Sequence, residues 1–256
     1  MRAHKTATDR HWDARARDEI DGSKVNIADL AQRTVENDFV LAHLLPSDEV
    51  LEVGCGNGYL TSEIRRRVNA VDAFDFSESM IVAAKTLHGE TNNRFFVHSV
   101  LAPSGIDCRY DKVVCVRVLI NLSNLSEQKQ AVRNFAQWVR PGGSVVLVEG
   151  FQDGFNGINA VRQRAGLPPL QPAAINYYSR ITELLPAIRE NFDILQVWNS
   201  GIFDLLTRVA YPLLVGHEEA NGPAEFHERV LPLARDIMLE ELAPYARLHG
   251  FLLKRH

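Results

Sequence analysis

The chain has 256 residues, 46% of them hydrophobic, enough for one sizeable core with insertions but too few for two independent domains of ordinary size. Its 28 lysines and arginines are outnumbered by 32 aspartates and glutamates, for a formal net charge of -4, which excludes the basic surface a nucleic-acid substrate would require. Cys55, Cys108 and Cys115 form neither a CxxC pair nor a metal-binding spacing, and no signal-type apolar core or run of about 18 apolar residues occurs, so a reduced, cytoplasmic chain without a membrane span is expected.

Residues 9–24 are highly charged, with His11 and Trp12 as exceptions, and read as a partly ordered arm or short helix. Asn26 is placed to cap the next helix, with Asp29 at its third position and Ile27, Leu30, Ala31, Val35 and Phe39 along one apolar stripe. From residue 49 onward strand, turn and helix alternate, the pattern of parallel strands joined by crossover helices. Strands are predicted at 49–54, 70–75, 94–98, 112–116 and 144–148, and helices at about 57–67, 78–87 and 125–139, the last stopped by Pro141-Gly142-Gly143.

After residue 150 the alternation breaks. Pro168, Pro169 and Pro172 cannot sit in helix interiors or central strands, and 151–180 is predicted to be an inserted cap. A helix at 181–188 and strands at 192–197 and 250–254 resume the pattern, and the long stretch between those strands, about 200–247, is predicted to form a second cap. The predicted architecture is α/β: a doubly wound, mostly parallel seven-stranded sheet with helices on both faces, two cap insertions and an N-terminal arm and helix over 1–45, the main domain occupying 46–256.

The segment Glu52-Val53-Gly54-Cys55-Gly56-Asn57-Gly58 follows an apolar strand and opens a helix, so its backbone can pass a ligand at the carboxyl edge of the sheet without Cβ atoms in the way. A dinucleotide turn of the GxGxxG type would place its third glycine at position 59, which is Tyr59, and the pyrophosphate reading weakens accordingly. Asp75 ends the second strand, where a carboxylate can accept hydrogen bonds from both hydroxyls of a ribose. Asp72 is the rival acid but lies inside the strand.

The turn resembles the first motif of the class I, Rossmann-like S-adenosylmethionine-dependent methyltransferases. Asp75-Phe76-Ser77-Glu78-Ser79-Met80-Ile81 resembles their Asp-x-Ser-x-x-Met-hydrophobic pattern, and the likeness covers about residues 48–150. It implies S-adenosylmethionine as methyl donor and S-adenosylhomocysteine as product, with Glu52, Gly54, Cys55 and Gly56 facing the methionine part, Asp75 the ribose, and Phe76 and Met80 the adenine, Ser77 being counted with them. Where the family commonly has an acid near the adenine amino group, this chain has Ser99, followed by Val100, whose backbone N–H can serve the ring. After the fourth strand the backbone of Val116 would meet the methionine amino group, and Ile120 and Asn121 stand where the family usually ends in Glu-His, with Asn121 facing the acceptor.

The resemblance implies methyl transfer by in-line displacement, and the non-basic surface with two caps favours a small, enclosed acceptor, a sugar or natural-product intermediate. Trp12 in the arm is a candidate to cover the cofactor, and Asn121, Glu149, Tyr177, Tyr178 and Arg180 are candidates for the acceptor pocket, with Arg180 suited to an anionic group. No HxxxH, HxH or DxD-type cluster occurs and no metal is expected; no catalytic base can be named. The expected partner is a small acceptor rather than nucleic acid or membrane, and a homodimer is left open. A nicotinamide-dependent oxidoreductase and an S-adenosylmethionine-binding protein that does not methylate are the alternatives.

Overall fold

A computed structural model describes residues 7–18, 29–89, 93–106, 110–220, 222 and 224–256. Helix α1 spans Ala7–Asp18 and α2 Leu30–Leu41, followed by β1 (Glu49–Val53), α3 (Tyr59–Arg65), β2 (Ala70–Asp75), α4 (Glu78–His88), β3 (Asn93–Val97) and β4 (Tyr110–Val116). Then come α5 (Leu125–Trp138), β5 (Val139–Gly150), α6 (Gln152–Arg164), α7 (Ile181–Arg189) and β6 (Phe192–Asn199). Short helices α8 (Gly201–Leu205), α9 (Tyr211–Val215), α10 (Glu225–Arg229) and α11 (Leu231–Asp236) precede the last strand, β7 (Leu248–Arg255). Among the described residues no helix is long and apolar enough to cross a membrane.

The seven strands form one sheet in the order β3-β2-β1-β4-β5-β7-β6, parallel throughout except for β7, which runs antiparallel to both β5 and β6. This is the doubly wound, mostly parallel sheet that the alternating pattern predicts. Two-residue periodicity divides the strands between two cores. Leu51, Val53, Val113, Cys115, Val145 and Leu147 point toward α5 and α7, whereas Val50, Val114, Val146 and Val148 point toward α2 and α3. The strand order reverses between β1 and β4, opening a crevice outside their carboxyl ends.

Several local expectations are corrected. Asp29 is the N-cap of α2, its Oδ1 accepting from the N–H of Gln32 at 3.1 Å, rather than its third residue; Asn26 and Ile27 lie outside the described residues. Pro141-Gly142-Gly143 does not separate helix from strand: α5 ends at Trp138 and β5 begins at Val139, the irregularity being absorbed between Tyr110 and Lys112 of β4. The first cap contains a helix, α6, that its glycines obscure in sequence. Gly154 and Gly157 lower helix propensity, yet they are where the helix touches the backbone of residues 240–245 and their neighbours: a Cβ would stand 1.7 Å from the carbonyl of Ala246 at Gly154 and 1.8 Å from that of Pro244 at Gly157. Gly154→Ala is therefore expected to destabilise the fold by about 3 kcal/mol through overpacking against backbone, measured as a drop in the urea midpoint; an unchanged midpoint would show that α6 can move freely.

Candidate active site

The crevice at the strand reversal is a cavity of about 580 Å³. Its floor is the turn after β1. Gly54, Gly56 and Gly58 all take left-handed φ values of 69°, 55° and 83°, and a Cβ on Gly54 would lie 2.4 Å from Val118 Cγ2, so that position accepts nothing larger. Asp75, at the end of β2, holds this turn. Its Oδ2 accepts from the N–H of Gly56 at 3.0 Å and its Oδ1 from the N–H of Ser77 at 2.9 Å, and the carboxylate lines the cavity.

Glu52, the last acid of β1 before the turn, is 4% exposed and lines the same floor. Its Oε2 has no hydrogen-bond partner among the described residues. Burial, with the charge of Asp75 adding to it, pushes the Glu52 carboxyl up to about 8. Phe76, Met80, Ser99 and Val100 form one side wall, with His98, whose Nε2 lies 2.8 Å from the carbonyl oxygen of Ala102.

The opposite wall comes from α2 and from the segment after β4. Arg33 stacks over Tyr59, 4.5 Å from the ring centroid, which brings a guanidinium against the first residue of α3. Glu36, 3% exposed, accepts from the Gln32 amide at 3.0 Å and is held above the ordinary carboxylate range by its burial. Residues 116–123 and 173–176 close the far side. Helix α1 covers the mouth with Thr8, His11, Trp12 and Arg15, and the indole N–H of Trp12 donates to Asn121 Oδ1 at 3.2 Å.

Of the residues singled out from sequence, Trp12, Glu52, Gly54, Cys55, Gly56, Asp75, Phe76, Met80, Ser99, Val100, Val116 and Asn121 all line this cavity. Ser77, Glu149, Tyr177, Tyr178 and Arg180 do not. The Ser77 hydroxyl caps α4 by accepting from the N–H of Met80 at 3.2 Å. Glu149 is buried beneath the site, its oxygens accepting from the backbone of Leu119 at 2.6 Å and Gly150 at 2.9 Å, and burial pushes it up to about 7. Tyr178 packs on Phe155 with centroids 4.8 Å apart, Tyr177 is half-exposed, and Arg180 sits exposed at the start of α7.

The described residues of 201–247 pack on α2, α6 and β6 and supply none of the cavity lining, since β6 stands four strand positions from β1, about 19 Å at the usual spacing. Arg33, Glu36 and Arg117 were missed. They fall outside any short motif, although Arg33 and Glu36, three apart on a helix with Asn37, already marked a polar face next to an apolar stripe.

Residues 50–143 match a family described as "Methyltransferase domain". That segment, with the glycine turn and Asp75 inside it, is similar to methyltransferase domains. Over 100 residues the chain is 28% identical to a ubiquinone biosynthesis O-methyltransferase of Rickettsia akari, covering 39% of each protein. Its fold is similar to that of the N-methyltransferase NodS from Bradyrhizobium japonicum, solved with S-adenosyl-L-homocysteine, at a TM-score of 0.61 and 12% identity over 98% of this chain and 99% of the other. It is equally similar to a geranyl diphosphate C-methyltransferase from Streptomyces coelicolor, with TM-score 0.61, 13% identity and the same coverage of both chains. The chain spans less than half the length of the curated relatives it matches.

The Glu52 carboxyl yields a pH prediction. Its folded value of about 8 lies above the ordinary 4.5, so between those values the folded chain retains a proton the unfolded chain has released. Stability from this group is thus present at the acid end and falls as pH rises toward 8. Glu52→Gln removes that contribution, and urea denaturation at about pH 5 and about pH 8 should show a smaller loss between the two than the parent chain shows. Equal losses would place Glu52 in a wetter environment than its burial indicates.

Proposed function

We propose that this chain transfers a methyl group from S-adenosylmethionine to a small acceptor bound in the same cavity. The observation that carries this reading is the pairing of an orphaned buried carboxylate oxygen, Glu52 Oε2, with a strand-end carboxylate, Asp75, on either side of a glycine turn that lines the same cavity. That donor set fits the cofactor chemically. Asp75 can accept from the ribose hydroxyls, Glu52 can receive the methionine ammonium, and Arg33 beside Tyr59 can receive the methionine carboxylate. Phe76 and Met80 offer apolar surface to adenine, with Ser99 and the N–H of Val100 at its edge, and the Val116 backbone completes the amino-acid end.

When bound, the cofactor supplies an electrophilic methyl group on a sulfonium. The chain's own contribution is position and dryness. The segment 116–123 and Asn121 present the acceptor beside the cofactor floor, while α1 excludes water through Trp12 and its bond to Asn121. A cavity of about 580 Å³ with mixed polar and apolar walls suits a sugar or a natural-product intermediate as well as the cofactor, and no wide cleft for a polymer is needed. Methyltransferases acting on oxygen, nitrogen and carbon all occur among the similar proteins.

Calorimetry with S-adenosylhomocysteine tests the reading. Asp75→Ala should weaken binding by about 1.5 to 3 kcal/mol, the loss of charge-assisted bonds to the ribose together with the hold on Gly56; an unchanged dissociation constant would sink the assignment. Binding should also release a proton near neutral pH, because an ammonium beside Glu52 draws its carboxyl down from about 8. Repeating the titration in buffers of different ionisation enthalpy measures that proton, and in Glu52→Gln it should disappear.

A further inference from the structure

We propose that the acceptor carries an anionic group, a carboxylate or a phosphate, received by Arg117 in the α2-side wall of the cavity, an inference that rests on the methyl-transfer reading above.

Arg117 follows β4 and is the one non-glycine among the described residues with a positive φ, 56°. Such a conformation costs free energy for any side chain with a Cβ and persists only where its surroundings enforce it. Here they do. The Arg117 N–H donates to the carbonyl of Val148 at 2.8 Å, and its carbonyl accepts from Asn121 Nδ2 at 2.8 Å, while Asn121 Oδ1 is held by Trp12. The strand end, the far wall and the covering helix thus converge on fixing the backbone of this one residue.

Its counter-ion is too far away to use it. Glu36 Oε1 lies 3.8 Å from Arg117 Nη1, outside hydrogen-bond distance, and the Arg117 side chain is 27% exposed to the cavity side against 3% for Glu36. Glu36 cannot readily close that gap, because Oε1 accepts from the Gln32 amide, and Gln32 Oε1 is itself fixed by Arg208 at 3.0 Å and Arg247 at 2.9 Å. A guanidinium has five N–H donors in a fork that matches a carboxylate or phosphate, and this one makes no hydrogen bond to a described side chain. With Arg33 assigned to the methionine carboxylate, Arg117 is the wall cation that faces the acceptor half, next to Asn121. For a neutral acceptor, a cation fixed at the expense of backbone strain would have no counterpart.

The test uses the full chain saturated with S-adenosylhomocysteine and titrated with benzoate, phenyl phosphate and the neutral benzamide at millimolar concentration, followed by ligand-observed NMR. At least one anion should bind and benzamide should bind much more weakly; which anion binds separates carboxylate from phosphate. Arg117→Gln should weaken the anion about tenfold and leave the S-adenosylhomocysteine constant unchanged. Glu36→Gln should act in the opposite direction, tightening the anion several-fold by removing the competing charge, so the inference stays testable should Arg117→Gln fail to fold.

Binding of neither anion, equal binding of benzamide, or an anion unaffected by both substitutions overturns it. Loss of S-adenosylhomocysteine affinity in Arg117→Gln also overturns it, since Arg117 would then hold the cofactor. Failure of the parent chain to bind S-adenosylhomocysteine would instead remove the reading on which the inference stands.

Discussion

One carboxylate organises the site. Asp75 takes the N–H of Gly56 on one oxygen and the N–H of Ser77 on the other, so the β1 turn and the start of α4 are tied to the end of β2 by a single side chain. The three glycines make this possible. Their left-handed φ values turn the chain back toward β2 within five residues, and the absence of a Cβ at Gly54 lets Val118 pack against the turn from the neighbouring strand end. Parallel strands leave unpaired backbone at their carboxyl ends, and a fixed turn there converts that edge into a rigid floor. Everything the cavity offers a ligand is referenced to that floor.

A second polar system fixes the wall. Asp29 caps α2 and also meets Arg208 at 2.5 Å and His227 at 2.9 Å, which hold its carboxyl well below the ordinary range despite the burial that would raise it. Asp204, fully buried, accepts from the Ser200 hydroxyl at 2.6 Å and from Arg247 at 2.8 Å. Gln32 joins these ion pairs to Glu36 at the cavity. The insertion 201–247 therefore bears on the site through α2, which it buttresses and which carries Arg33, Glu36 and Asn37 into the wall. Buried charges of this kind stabilise only as a complete set, which ties the position of Glu36 to the integrity of a segment far along the chain.

The parallel core was legible because its signals are local. Short apolar runs rich in valine mark the buried parallel strands, and Asp75 at the end of β2 stands at the place where a strand-end acid meets a ligand. Glu52 and the glycines were legible for the same reason, as one contiguous motif. Tyr177, Tyr178 and Arg180 were drawn toward the site by position after β5, but the chain spends Tyr178 on Phe155 and covers the far side with Ala173, Ile175 and Asn176 instead. Arg117 and Glu36 could not be paired from sequence, since 81 positions separate them and only the sheet order brings α2 beside the end of β4.

The two cores bear differently on the cavity. The α5 and α7 face has a largely apolar core, with Phe135, Trp138 and Leu147 buried completely or nearly so, and α5 itself reaches the site only through Glu127. The α2 face carries the buried polar side chains Gln32, Arg33 and Glu36 alongside Val35 and Phe39. Apolar packing tolerates volume-conserving exchange, whereas a hydrogen-bonded ionic set does not. On the methyl-transfer reading, a change of acceptor preference is therefore accommodated most easily in α1 or in the 173–176 closure, whereas Glu36 on the α2 wall is tied through Gln32 to Arg208 and Arg247.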